Sequence, residues 1–197
     1  MSIVRPDGRT YRCSGSLIAS KWIVTAAHCV YDASSVTVIL GEHDTATMTE
    51  STIPRKEVTV SKIIPHENYV LLHDDIALLK LSESVDLSVY TPVCLPNTGD
   101  DFIGKTALVY GKLAGALHSL TICLGWGATS SSGSLSSKLL EVAVGIVSDT
   151  TCQNAFTNNP ATTTWTITSG MLCAGGVGGK DSCGVKYHIN IVYLIKI

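Results

Sequence analysis

The sequence predicts an all-β protein. Short runs rich in β-branched and aromatic residues recur along the chain, and clusters of Gly, Pro, Asn, Asp or Ser separate most of them. Helical periodicity is weak almost everywhere. The expected strands cover residues 16–18, 22–25, 36–40, 57–60, 76–81, 106–110 and 139–147. Residues 92–104, which hold Pro92, Pro96, Gly99 and Gly104, read as a connection between two halves. One short helix is expected over 148–156, where Ser148 or Asp149 can cap and Ala155 and Phe156 can pack. No internal repeat is visible.

Bulk properties narrow the function. The chain has 197 residues, 45% of them hydrophobic and 15% charged, which suits one or two small domains with a real core. The formal net charge is −2 and Lys and Arg form no run, so neither nucleic acid nor an acidic membrane surface is an expected partner. No apolar stretch reaches the roughly 20 residues that span a bilayer. Seven cysteines with no Cys-x-x-Cys pair and no metal-like Cys/His spacing favour disulfides and an oxidising compartment. No metal or cofactor is expected. The amino terminus lacks the pattern of a signal peptide, and with the odd cysteine count this suggests a secreted parent whose start is missing.

Four motifs carry chemistry. In order they are Thr25-Ala26-Ala27-His28-Cys29, then His73-Asp74-Asp75-Ile76-Ala77-Leu78-Leu79, then Cys173-Ala174-Gly175-Gly176, then Lys180-Asp181-Ser182-Cys183. A hydroxyl nucleophile is weak until a base takes its proton, and an imidazole serves best when a buried carboxylate fixes its tautomer. His28 and Asp75 suit those two roles. The order and content of the motifs resemble the chymotrypsin/trypsin-like serine proteases over nearly all of residues 1–183.

That resemblance implies two six-stranded antiparallel Greek-key barrels with an active site between them. Residues 1–96 would form the first barrel, carrying His28 as base and Asp75 as its orienting carboxylate. Residues 97–183 would form an incomplete second barrel, and 184–197 a tail foreign to the family. Asp181 matches the floor of the primary specificity pocket and implies protein or peptide substrates cut after Arg or Lys. Asp74 reads as a loop charge. The resemblance also implies Cys13–Cys29 and Cys152–Cys173 disulfides. It leaves Cys183 without its usual partner, and it likens Cys94 to a position that tethers an upstream propeptide or regulatory domain. His43, His66, His73 and His118 receive no role. Glu42-His43-Asp44 begins like a calcium loop, but Thr52 stands where a second acidic ligand is expected.

The chain departs from the family in three places. Ile3-Val4-Arg5-Pro6 is not the family's activated amino terminus and fits a later strand, the one preceding Cys13. Residues 111–124 interrupt the usual passage from the Leu108-Val109-Tyr110 strand into Gly125-Trp126-Gly127. Gly111-Lys112-Leu113 can be encoded with the splice-donor word GTAAGT, so this segment reads as translated intron. After Cys183, where a Gly-Asp-Ser-Gly-Gly run would hold the nucleophile, the sequence is Gly184-Val185-Lys186-Tyr187-His188. The tail is either non-coding sequence read through or a genuinely diverged end. The expected function is serine-type endopeptidase by family, inactive in the chain as written. The alternative is a non-catalytic homologue that acts as a binding or regulatory protein.

Overall fold

The computed structural model describes residues 1–47, 52–70, 73–97, 99–109, 122–123, 136–139, 142–158 and 166–175. They fall into two compact units, Met1–Pro96 and Asn97–Ile197. Strands dominate both. No helix among the described residues is long and apolar enough to cross a membrane.

The first unit is built on β1 (Ser2–Val4), β2 (Thr10–Arg12), β3 (Ser16–Ala19), β4 (Trp22–Thr25), β5 (Ser35–Leu40), β6 (Lys56–Pro65) and β7 (Ala77–Leu81). All pairings are antiparallel, in the order β2-β1-β5-β6-β7-β4-β3. Side-chain alternation decides which faces point inward. Val36 and Val38 of β5 and Ala77, Leu79 and Leu81 of β7 are buried, while Lys80 between them points out. With Ile3, Ile23 and Val58 they belong to one core.

Three expectations needed correction in this unit. β6 is ten residues long, not four, because its first part pairs with β5 and its second with β7 across a register shift between Val60 and Lys62. Ser61 and Lys62 interrupt the apolar run there, yet the backbone continues. Ser61 Oγ turns outward and donates to the Lys80 carbonyl at 3.0 Å. Such a bulge lets one strand serve both halves of a curled sheet. β7 starts at Ala77 rather than at 76, because Ile76 belongs to the turn that precedes it. One helical turn, α1 (Ala27–Val30), has no counterpart in the sequence reading. Its N-cap, Ala26, offers no side-chain acceptor, and four residues are too few to show a period. Burial of Ala27, Cys29 and Val30 holds it instead.

In the second unit, β8 (Thr106–Val109), β9 (Ile122–Cys123), β10 (Val142–Val147) and β11 (Cys173–Ala174) form a sheet in the order β11-β10-β8-β9. The pairings are antiparallel except β8 with β9. Residue 139, expected to open β10, lies outside any strand, and the strand is described over Val142–Val147. Helix α2 (Asp149–Thr157) follows it directly, capped by Ser148, whose Oγ accepts the Thr151 N–H at 3.2 Å. Asp149 lies in the first turn, where a negative charge complements the helix dipole. Phe156 and the two cysteines of a disulfide, Cys152 and Cys173, form a small core with Val147 and Ile167 packed on it. Of the suspected insertion at 111–124, only Ile122 and Cys123 lie among the described residues, as β9.

Candidate active site

His28 sits on α1, one residue before a cysteine that pins the helix. The Cys13–Cys29 disulfide, with Cα atoms 6.3 Å apart, ties α1 to the chain just after β2. Tyr11, on β2, donates its hydroxyl to the Cys29 carbonyl. Thr25, at the end of β4, is buried and donates its Oγ1 to the Ser14 carbonyl at 2.8 Å. Strand end, turn and helix start are thereby held together. A single turn buries Ala27, Cys29 and Val30 and leaves His28 on the outside, its side chain 57% exposed.

Asp75 arrives from the other direction, just before β7. Asp74 has φ +50, and its carbonyl accepts the Ile76 N–H at 2.7 Å. Aspartate tolerates this left-handed conformation better than most residues, and the tight turn brings Asp75 inward, where its side chain is only 3% exposed. The residue read as a mere loop charge is the residue that makes this turn.

The two meet closely. His28 Nδ1 lies 2.6 Å from Asp75 Oδ2, and the His28 backbone N–H donates to Asp75 Oδ1 at 2.8 Å. The hydrogen bond to Asp75 raises the His28 pKa above its ordinary value, burial opposes the rise, and the negative charge of Asp75 adds to it. With Nδ1 engaged by the carboxylate, the neutral ring carries its lone pair on Nε2. Nε2 lies 3.5 Å from Cys29 Sγ. An exposed imidazole held this way can take a proton from a hydroxyl and return it.

Two aromatic residues of the first unit that the motifs did not single out pack against each other. The rings of Tyr31 and Tyr69 lie 5.8 Å apart. Burial raises the Tyr69 pKa, and the Asp75 charge adds to the rise, which places that phenol within the field of the site. Neither carried a signal in the sequence, where each is an isolated tyrosine with one valine and one polar residue as its neighbours.

The other predicted residues divide plainly. Cys152 and Cys173 form a disulfide with Cα atoms 6.2 Å apart. Cys94 is an exposed free thiol. Asp181 and Cys183, with residues 184–197, lie outside the described residues. Glu42 and Arg55 form an ion pair at 2.9 Å, in which the Glu42 side chain is 13% exposed. A guanidinium therefore faces the carboxylate that begins the calcium-like motif.

The family model named Trypsin matches residues 2–184. The chain is similar to the serine proteinase stubble of Drosophila melanogaster, with 37% identity over 180 residues, covering 88% of this chain and 21% of that protein. It is similar to a trypsin of Phaedon cochleariae, with 38% identity over 176 residues, covering 87% of this chain and 60% of the relative. Trypsin-1 of Astacus astacus is 35% identical over 180 residues, covering 87% of this chain and 66% of the relative. The chain thus spans less than two thirds of the length of each of these relatives. A solved structure described as "Structure of GrC" superposes with a TM-score of 0.70 at 25% identity, over 98% of this chain and 77% of the other.

Proposed function

The chain belongs to the trypsin family of serine proteases, and from that premise we propose that it carries the proton-handling half of a serine endopeptidase site, with His28 as general base and Asp75 as its orienting carboxylate. The observation that carries this reading is the double grip of Asp75 on His28, at 2.6 Å through the ring and 2.8 Å through the backbone. A carboxylate that served only to neutralise a surface histidine would have no need to be buried and to fix the backbone as well. Asp181 completes the reading as the charge that selects Arg or Lys in the substrate. Two disulfides support an extracellular setting.

A second reading has its own support. After Cys183 the sequence holds no Gly-Asp-Ser-Gly-Gly run, so this 197-residue chain has no nucleophile in the family's place. We therefore propose that the chain as written does not turn over peptide substrates. Loss of the nucleophile alone costs about a million-fold in turnover in a related triad. As written, the chain then acts only as a non-catalytic homologue through its surface.

One experiment addresses both readings. The tail after Cys183 is replaced by a family-type nucleophile segment with its following strands, residues 111–124 are deleted, and a family-type activated amino terminus is supplied. The restored protein is expected to cleave after Arg and Lys, to lose that preference in Asp181→Ser, and to lose activity in His28→Ala. Equal cleavage after Phe and Arg would sink the pocket assignment. Indifference to His28→Ala would sink the catalytic reading. Hydrolysis of a basic chromogenic amide by the unaltered chain, blocked by a serine-directed phosphonate, would overturn the proposed inactivity.

A further inference from the structure

Cys13, His28 and Cys29 lie close enough that one ligand atom from each falls within 4.8 Å of the others. Among the described residues this is the one group of three His, Cys, Asp or Glu side chains so placed. Spacing along the chain gave no hint of it, because Cys13 reaches the other two only through the fold. While the disulfide stands, its sulfurs cannot serve as thiolate ligands. We propose that reduction of the Cys13–Cys29 disulfide turns this corner of the first unit into a zinc site, with Cys13 Sγ, Cys29 Sγ and His28 Nε2 as protein ligands and the fourth position left to water.

Three features of the geometry carry the proposal. Zinc takes sulfur at about 2.3 Å and imidazole nitrogen at about 2.0–2.1 Å in a tetrahedron, so a ligating sulfur and nitrogen stand about 3.5–3.6 Å apart. Cys29 Sγ and His28 Nε2 are already separated by 3.5 Å. On the far side of the ring, Nδ1 is held by the buried Asp75 carboxylate at 2.6 Å. That is the arrangement that orients a metal-binding imidazole and increases its basicity toward the ion. Finally, the exposed His28 side chain leaves an entry path for the ion. Cys13, the third ligand, must only swing its sulfur away from Cys29 to a tetrahedral edge of about 3.8 Å, which side-chain rotation can supply.

The chemistry balances with a trialkylphosphine as reductant. The phosphine takes the oxygen of one water to become its oxide, and the S–S bond gains two electrons and two protons to give two thiols. Zinc then binds both sulfurs as thiolates and releases the two protons. Zinc on Nε2 occupies the lone pair that a hydroxyl proton would need, so the metal-loaded form has no free base at His28. That consequence rests on the catalytic reading above; the binding itself does not.

The test uses the full 197-residue chain, reduced with a phosphine that does not compete for zinc, then treated with iodoacetamide with and without zinc. Alkylation is read at each cysteine by peptide mass spectrometry. Zinc is expected to protect Cys13 and Cys29, and to leave Cys94, Cys152 and Cys173 open to alkylation. Competition against a chromogenic chelator is expected to show one zinc bound through this site, at least 10-fold more weakly in His28→Ala and 10- to 100-fold more weakly in Asp75→Asn. Equal alkylation of Cys13 and Cys29 with and without zinc would overturn the proposal, including where reduction has cost the unit its fold. So would zinc affinity unchanged in His28→Ala, which leaves both cysteines in place.

Discussion

Asp75 binds His28 through both carboxylate oxygens. Oδ2 takes the ring at Nδ1, 2.6 Å away, and Oδ1 accepts the backbone N–H at 2.8 Å. One buried side chain therefore fixes the tautomer of the imidazole and also the start of the helical turn that carries it. The two residues are 47 apart in sequence, so the grip also ties α1 to the approach to β7.

Asp75→Asn separates these roles. The amide can still accept the backbone N–H, but it carries no charge and makes a weaker bond to the ring. The His28 pKa, raised in the wild type, is expected to fall back toward the ordinary histidine value of about 6.5. Imidazole carbon-bound proton shifts followed through a pH titration by NMR would show it. An unchanged midpoint would mean that Asp75 does not govern the ring.

The same shift sets a pH dependence of stability. The folded pKa of His28 lies above its unfolded value, so the native state binds the imidazole proton more tightly than the unfolded chain does. The contribution is fully present below about pH 6.5 and fades as pH rises through the folded pKa. His28→Ala should therefore cost more stability near about pH 6 than near about pH 9. Because the ring is more than half exposed, the difference will be modest. Urea denaturation of both proteins at the two pH values measures it, and a larger cost at the higher pH would reverse the assignment.

Gly41 and Gly8 make a contrasting pair. Both have positive φ, +71 and +81, a conformation that costs an alanine about 1–2 kcal/mol. A Cβ on Gly8 would meet nothing within 4 Å, whereas one on Gly41 would lie 2.4 Å from the Pro54 carbonyl oxygen. Gly41→Ala is expected to destabilise by roughly 1–3 kcal/mol more than Gly8→Ala, because backbone must shift to admit the methyl group. Comparing their denaturation midpoints gives the answer, and equal losses would mean that the Pro54 segment yields freely.

Arg55 links Glu42 at 2.9 Å to Glu57 at 2.7 Å, and the Glu42 side chain is 13% exposed. Lys56 pairs with Glu83 at 2.8 Å in a much more open setting, with side-chain exposures of 39% and 57%. Arg55→Met leaves a largely buried carboxylate without its cation and should cost about 1–3 kcal/mol. Lys56→Met should be close to neutral, because water screens that exposed pair. Adding Glu42→Gln to the Arg55 variant should restore part of the loss. Thermal melts of the set decide it, and a neutral Arg55→Met would show that water already screens Glu42.

The sequence by itself determined the class of the fold and the identity of the central pair. Short β-type runs bounded by turn-forming residues mark β5 and β7, a local signal that shows in the chain whatever the strand pairs with. His28 and Asp75 stood out because each lies in a run of neighbours that the family's chemistry requires. What the sequence could not show depends on contacts between distant residues. The single turn α1 has no cap and no period, and forms because a disulfide and three buried side chains hold it. β6 continues through Ser61 and Lys62 because two different partners take its two halves. The left-handed turn at Asp74 exists to bring Asp75 inward, while in the sequence it reads as one more surface charge. Cys13 stands beside His28 and Cys29 only in three dimensions. In each case the deciding free energy comes from pairing, packing or ligation across the chain, and local patterning carries no record of it.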